Sequence, residues 1–498
     1  MKIQFLLKNT GMHEHLGIMT LSSILKQHGH SVQLLLTGEL SEEECIAKIK
    51  AYEPHILAYS IMTGEHTYHI GLNQMLKAHY DCLSVFGGPH PTFAPDMIEK
   101  DGVDAVCIGE GELYFLEFVE RMEVGKNFYD VPNFWFKRPD GQIIRNEIGP
   151  LVENLDDFPF PDRQLMYDAD SALRARGSKM FISMRGCPYQ CTYCFNHVYN
   201  KMTEGKGNIL RYRSVDSFIA EIRAVKEQYF LDRVFIDDDT FLIKPKGWLE
   251  EFAEKYPKEV GIPITCNVRA NLMCNEKMGK LLKQMDCRNA YMGVECGNNE
   301  VASTLLKRNL SNEQTVKSCE ILHKYKIQIM TQNLIGLPVE NPLEVDLETL
   351  DFNIKLRPNF AWSSILYPYP STELGQLAMQ KGMFHANFEK VSVSNKTDSV
   401  LDFDDPKLKR QIVNLHKLFG LIVQFSFLRP LTLLLISLPL TPFYTWVFFA
   451  MYGYKILRQS STQGLFNALR YYIPFYFKYV SQLEKRKEFR KQSYPNVE

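Results

Sequence analysis

The chain has 498 residues, a formal net charge of −1, 45% apolar residues and 23% charged residues. That length accommodates two or three domains, each with its own core, and the charge balance excludes a global field drawing the chain to nucleic acid. Eleven cysteines are too few for a disulfide scaffold, and the start, MKIQFLLKNTGMHEH, lacks the long apolar core and small-residue cleavage site of a secretory leader. The expectation is a cytoplasmic protein whose clustered cysteines serve metal binding or catalysis.

Short apolar runs at 2–7, 32–36, 56–61, 83–86 and 105–108 predict buried parallel strands. Amphipathic stretches at 17–27, 42–52, 65–79 and 112–123 predict the helices between them. Strict alternation gives a doubly wound α/β domain over residues 1–125. Its ligand edge lies at the carboxyl ends of the strands, at residues 9–11, Ser60, Gly87, Gly88 and 109–112. Residues 126–176, rich in Pro, Asp and Asn, read as a connector.

A second alternation runs over residues 177–385, with strands expected at 179–184, 233–236, 263–268, 290–295, 328–335 and 361–366. Six βα units predict a partial barrel, open on one side. Residues 386–498 read as a mainly helical region. Within it, residues 430–454 carry no charge, Pro439 and Pro442 interrupt the run, an aromatic stretch fills 471–479, and basic residues cluster at 485–491. The prolines break a continuous span, which favours a shallow interfacial hairpin with a basic, aromatic flank at the inner face of a membrane. A helical lid packed on the barrel is the other reading.

Directly after the first strand of the second domain stands MRGCPYQCTYCFN, which places Cys187, Cys191 and Cys194 on one tight loop. Three thiolates bind three irons of a cubane and leave the fourth open to a cosubstrate. His197 extends the pattern to three cysteines and one histidine, so a structural zinc site in a non-enzymatic interaction protein is the rival. Cys266, Cys274, Cys287, Cys296 and Cys319 read as buried structural thiols, with a hydrogen donor among them as the alternative.

The Cys-x3-Cys-x2-Cys loop, with Tyr193 before its last cysteine, resembles the signature of the radical S-adenosylmethionine (SAM) superfamily. Asp237, Asp238 and Asp239 end the second strand, where that family binds the amino group of SAM. Glu295 stands in a segment similar to the family's Gly-x-Glu-Ser-Gly pattern, and Gly336 opens a turn like its Gly-x-Pro-x-Glu. Arg269 closes the third strand as a partner for the SAM carboxylate. The first domain resembles the cobalamin-binding domain that precedes many such barrels, through Gly17, Ser60, Gly87, Gly88 and Glu110. It lacks the Asp-x-His-x-x-Gly pattern that supplies a lower histidine to cobalt.

The resemblance implies a [4Fe-4S] cluster, SAM and cobalamin as cofactors, with flavodoxin or ferredoxin as electron donor. It implies reductive cleavage of SAM to a 5′-deoxyadenosyl radical and methyl transfer through cobalamin to an unactivated carbon of a small molecule, apolar or lipid-like. Ring formation, oxidation or carbon–carbon coupling without methylation is the alternative outcome. No basic patch with interleaved aromatics marks the barrel for nucleic acid.

Overall fold

A computed structural model describes residues 1–386, 388 and 398–459. The aromatic stretch at 471–479 and the basic run at 485–491 lie outside the described residues.

The first apolar runs become β1 (Lys2–Leu7), β2 (Ser31–Leu36), β3 (Ile56–Ser60), β4 (Leu83–Gly87) and β5 (Ala105–Cys107). They pair in parallel in the order β2-β1-β3-β4-β5. Each connection is long enough to carry a helix, which returns the chain parallel to the strand it left. The helix Glu42–Tyr52 begins at a capping box, in which the Ser41 hydroxyl accepts from the Glu44 amide and the Glu44 carboxylate accepts from that of Ser41. Successive strand residues serve opposite faces. Phe5 enters a core with Ile18 and Phe118, while Leu6 enters one with Leu57 and Phe86. Burial on both faces explains why these strands read as unbroken apolar runs.

The structure adds two strands inside the stretch read as a connector. β6 (Phe134–Lys137) and β7 (Ile143–Arg145) extend the same sheet antiparallel, past β5. Phe134 and Phe136 point into the core while Trp135 and Lys137 are half-buried, a period-two pattern that is only four residues long. The Pro- and Asp-rich flanks mask so short a signal.

The second sheet has six parallel strands: β8 (Ser178–Phe181), then, after the short antiparallel ribbon of β9 (Met184–Arg185) and β10 (Arg211–Tyr212), β11 (Arg233–Ile236), β12 (Ile264–Val268), β13 (Cys287–Glu295), β14 (Gln328–Ile335) and β15 (Phe360–Ile365). Neighbours in space are neighbours in sequence, from β8 to β15, as in a barrel left open. The helix Pro406–Gln424 packs along the last strand. At Gly420 a Cβ would stand 3.0 Å from the Ala361 carbonyl oxygen, so glycine permits the close approach. Pro439 and Pro442 fall at the break between the helices Thr432–Ser437 and Thr441–Gln459. Among the described residues no helix is long and apolar enough to cross a membrane.

Candidate active site

The cysteine loop is built by a chain forced to turn sharply after β8. Gly186 has φ +91°, and a Cβ there would lie 1.9 Å from the Ile209 carbonyl oxygen, so only glycine fits against the ribbon. Cys187 and Cys191 are buried and Cys194 is half-buried. The Cys194 amide donates to the Cys191 carbonyl at 3.0 Å. Cys194 then caps the helix Phe195–Met202, whose Asn200 returns a hydrogen bond of 2.8 Å to the Cys187 carbonyl. Thr192 is pinned from the other side, donating to the carbonyls of Leu305 (2.7 Å) and Leu306 (3.3 Å).

Burial pushes the Cys187 thiol up and the Cys194 thiol to about 12, so free thiolates are disfavoured here. Metal coordination reverses that balance by deprotonating the ligating thiol. His197 is engaged with Glu373 at 2.8 Å, and no three His, Cys, Asp or Glu side chains among the described residues close on a single-ion position. A cubane takes one thiolate per iron, so three thiols on one loop, with the histidine engaged elsewhere, match three irons of a cluster and leave the fourth open. The residues present therefore fit a cluster better than mononuclear zinc.

The aspartates at the end of β11 divide. Asp238 is fully buried and pairs with Lys244 at 2.7 Å, also fully buried, while accepting from the Ser183 and Met184 amides at 2.7 and 3.1 Å and from the Ser183 hydroxyl at 2.5 Å. It orders the strand end that feeds the cysteine loop. Asp237 and Asp239 instead line a cavity of about 280 Å³ with Asn196, Arg185, Tyr199 and Glu110. Burial, then the charges of Asp238 and Asp239, raise the Asp237 carboxyl to about 7.

Glu295, at the end of β13, holds φ +65°, a strained conformation for a side-chain-bearing residue. Its carboxylate lies 3.4 Å from Arg308, whose guanidinium also donates to the Tyr193 hydroxyl (2.6 Å) and to the Gly293 carbonyl (2.5 Å). Arg269 is buried over the Tyr189 ring at 3.7 Å, donates to the Arg308 carbonyl, and lies 3.9 Å from the Cys191 sulfur. It therefore backs the cysteine loop. Gly336 has φ +71° and gives its amide to both oxygens of Asp346 at 3.0 Å, so that donor is already engaged within the fold.

In the first domain, Ser60, Gly87, Gly88, Glu110 and Gly17 all gather at the carboxyl edge of the sheet, which faces the barrel. Gly17 has open space where a Cβ would be, whereas Gly88 (φ +92°) is needed for packing, a Cβ there meeting the Ser60 hydroxyl at 2.9 Å. The Glu110 carboxylate is taken by two arginines, Arg211 at 2.7 Å to each oxygen and Arg185 at 3.2 Å. Burial pushes its carboxyl up, but these arginines outweigh that and hold it below the ordinary range. Glu110 thus clamps the two domains. Beside it, the Tyr199 hydroxyl is buried at the cavity with no hydrogen-bond partner, 3.0 Å from where a Cβ on Gly109 would stand. Phe93 of the first domain stacks on Phe195, next to Cys194, at 4.2 Å.

Arg308 carries no signal in the sequence because its partner Tyr193 lies 115 residues away, Lys244 stands six residues from Asp238 but in no motif spacing, and Tyr199 owes its burial to Gly109 of the first domain. A larger open cleft of about 490 Å³ is lined by Glu340, Glu344, Glu348, Asp351 and Arg429 among others, and no cysteine lines either cavity.

A family model of the radical SAM superfamily matches residues 181–350, and one of the B12 binding domain matches residues 6–119. An uncharacterized methyltransferase of Pyrococcus horikoshii is 26% identical over 377 residues, covering 74% of this chain and 79% of the relative. An anaerobic magnesium-protoporphyrin IX monomethyl ester cyclase of Synechocystis is 23% identical over 321 residues, 63% of this chain and 62% of the relative. Among solved structures, the cobalamin-dependent SAM radical enzyme OxsB with aqua-cobalamin bound superposes with a TM-score of 0.68 at 15% identity, over 98% of this chain and 80% of its own.

Proposed function

For a chain that belongs to the radical SAM superfamily and carries a B12-binding domain ahead of its barrel, we propose that Cys187, Cys191 and Cys194 hold the cluster at which SAM is cleaved. The cofactors are a [4Fe-4S] cluster, SAM and cobalamin, which supply when bound an electron for SAM cleavage, a 5′-deoxyadenosyl radical and a route for methyl transfer. We take residues 1–125 as the cobalamin domain, 126–176 as the connector, 177–385 as the barrel and 386–498 as the helical carboxyl-terminal region. One observation carries the reading: the three-cysteine loop follows the first barrel strand, and its flanks at Arg185, Gly186 and Asn196 line a cavity together with Asp237, Asp239 and Glu110 of the first domain.

The chain's own residues place the reactants. Asp237 and Asp239 receive the SAM ammonium at the cavity wall, and Asp238 keeps the strand end still. Arg308 fixes Tyr193 and Glu295 beside the loop, and Arg269 offers an N–H to the Cys191 sulfur. The Tyr199 hydroxyl gives the cavity an unpaired donor. We infer methyl transfer to a carbon of an apolar or lipid-like small molecule, with flavodoxin or ferredoxin as electron source and the enzyme at the inner face of a membrane. The uncharged run of 430–454 supports that substrate class.

The test is anaerobic purification followed by iron, sulfide, cobalt and zinc analysis and by product analysis with SAM. S-adenosylhomocysteine together with 5′-deoxyadenosine is expected, and the triple Cys→Ala variant should lose both along with its iron. A colourless protein holding zinc alone would overturn the proposal. The likeness to the cyclase favours a second reading, radical ring formation or oxidation, which would give 5′-deoxyadenosine without S-adenosylhomocysteine.

A further inference from the structure

Fourteen large apolar side chains are exposed among the described residues, and nine of them lie between Phe425 and Tyr454. Phe427, Leu431, Leu433, Leu434, Phe443 and Trp446 are 49–75% exposed. Single exposed apolar residues are ordinary, but a contiguous set marks an interaction site. The helix Thr441–Gln459 is apolar on two faces. Tyr444 and Phe448 are buried toward the helix Pro406–Gln424, where Phe448 meets the His416 ring at 4.9 Å, while Phe443 and Trp446 face outward.

This surface is held by the fold. Asn414 donates to the carbonyls of Ile436 (2.8 Å) and Leu438 (2.9 Å) and accepts from the Thr441 hydroxyl at 2.7 Å. Arg429 anchors the turn to Asp351 of the barrel at 2.5 and 2.7 Å. The apolar platform is therefore presented in a fixed orientation.

Charge selects the occupant. Residues 406–498 carry fourteen Lys and Arg against three Glu, a net +11, with no acidic residue before Glu484; since the whole chain carries −1, residues 1–405 carry −12. A second copy would bring two such cationic regions together, which like-charge repulsion opposes. An anionic lipid surface satisfies both the apolar side chains and the charge.

We propose that residues 425–454 form an interfacial docking element that seats this enzyme on an anionic membrane. The proposal deepens the reading of a lipid-like substrate and rests on it for its purpose, but the surface stands apart from the cysteine loop. The test is flotation of the full-length, anaerobically purified protein with vesicles of phosphatidylcholine alone, or with about one third phosphatidylglycerol. The protein should float with the anionic vesicles, less so at high salt, and the exposed-face substitutions Leu434→Gln and Trp446→Gln should each weaken binding about tenfold. Product formation from SAM should be unchanged in both variants, so loss of flotation and loss of chemistry are read separately. The proposal is overturned if the wild type floats with neither vesicle, if the double variant floats as well as the wild type, or if the wild type is instead a dimer that the variants dissociate.

Discussion

The three aspartates that end β11 have two different surroundings, and those surroundings set what each can do. Asp238 and Lys244 are both fully buried at 2.7 Å, so removing one leaves the other charge uncompensated. Lys244→Met should destabilise the cofactor-free protein by about 3 kcal/mol, measured by urea unfolding. Asp237 behaves oppositely. Its folded carboxyl sits near 7, above that of an unfolded aspartate, so between these values the folded chain holds more protons and loses stability as pH rises. Asp237→Asn should match the wild type near pH 4 and gain on it progressively up to pH 8, while SAM affinity falls. Melting curves across that range, with a SAM titration, check both. These roles were not legible in the run DDD, because the lysine that claims the middle residue arrives from six positions on by way of a loop. The spacing of the three cysteines was legible, since eight residues of chain hold all of it.

At the scale of elements, the loop after β5 and the ribbon of β9 and β10 are joined by Glu110 with Arg211 and Arg185. In the sequence Glu110 reads as a cobalamin contact, through the resemblance of its glycine-rich turn to those of cobalamin-binding domains. Its partners lie 75 and 101 residues away, and local spacing holds no trace of them. Glu110→Gln should loosen this clamp. Hydrogen exchange at residues 105–111 and 184–187 should rise together, and cobalamin retention should fall. A second contact of elements is the helix Pro406–Gln424 on β15. Gly420→Val forces a side chain against the Ala361 carbonyl and should cost about 1–3 kcal/mol, with exchange rising along 360–365. β6 and β7 escaped the sequence reading for a related reason. Strands of four and three residues stabilise each other by pairing, and pairing is not encoded in either one alone.

Across the molecule, one buried network links first domain, connector and barrel. Arg163 donates to Glu14 at 2.9 Å, to Glu221 at 2.8 Å and to the Met180 carbonyl at 2.7 Å, and the Tyr167 hydroxyl also donates to Glu14. Arg163→Met leaves Glu14 without its arginine and Glu221 with Arg213 alone, and should lower stability by about 3 kcal/mol. Calorimetry should then split one cooperative unfolding transition into two, because the two sheets lose their shared ionic joint. By itself the sequence determined the two runs of alternating strands and helices and the cysteine spacing. Apolar periodicity and ligand spacing are both short-range properties of a chain. Only the tertiary structure decided which aspartate is locked, which glutamate clamps the domains, and which face of the carboxyl-terminal helices stays bare. Those outcomes depend on partners that meet only after the chain has folded, where burial and charge pairing are set by segments far apart in sequence.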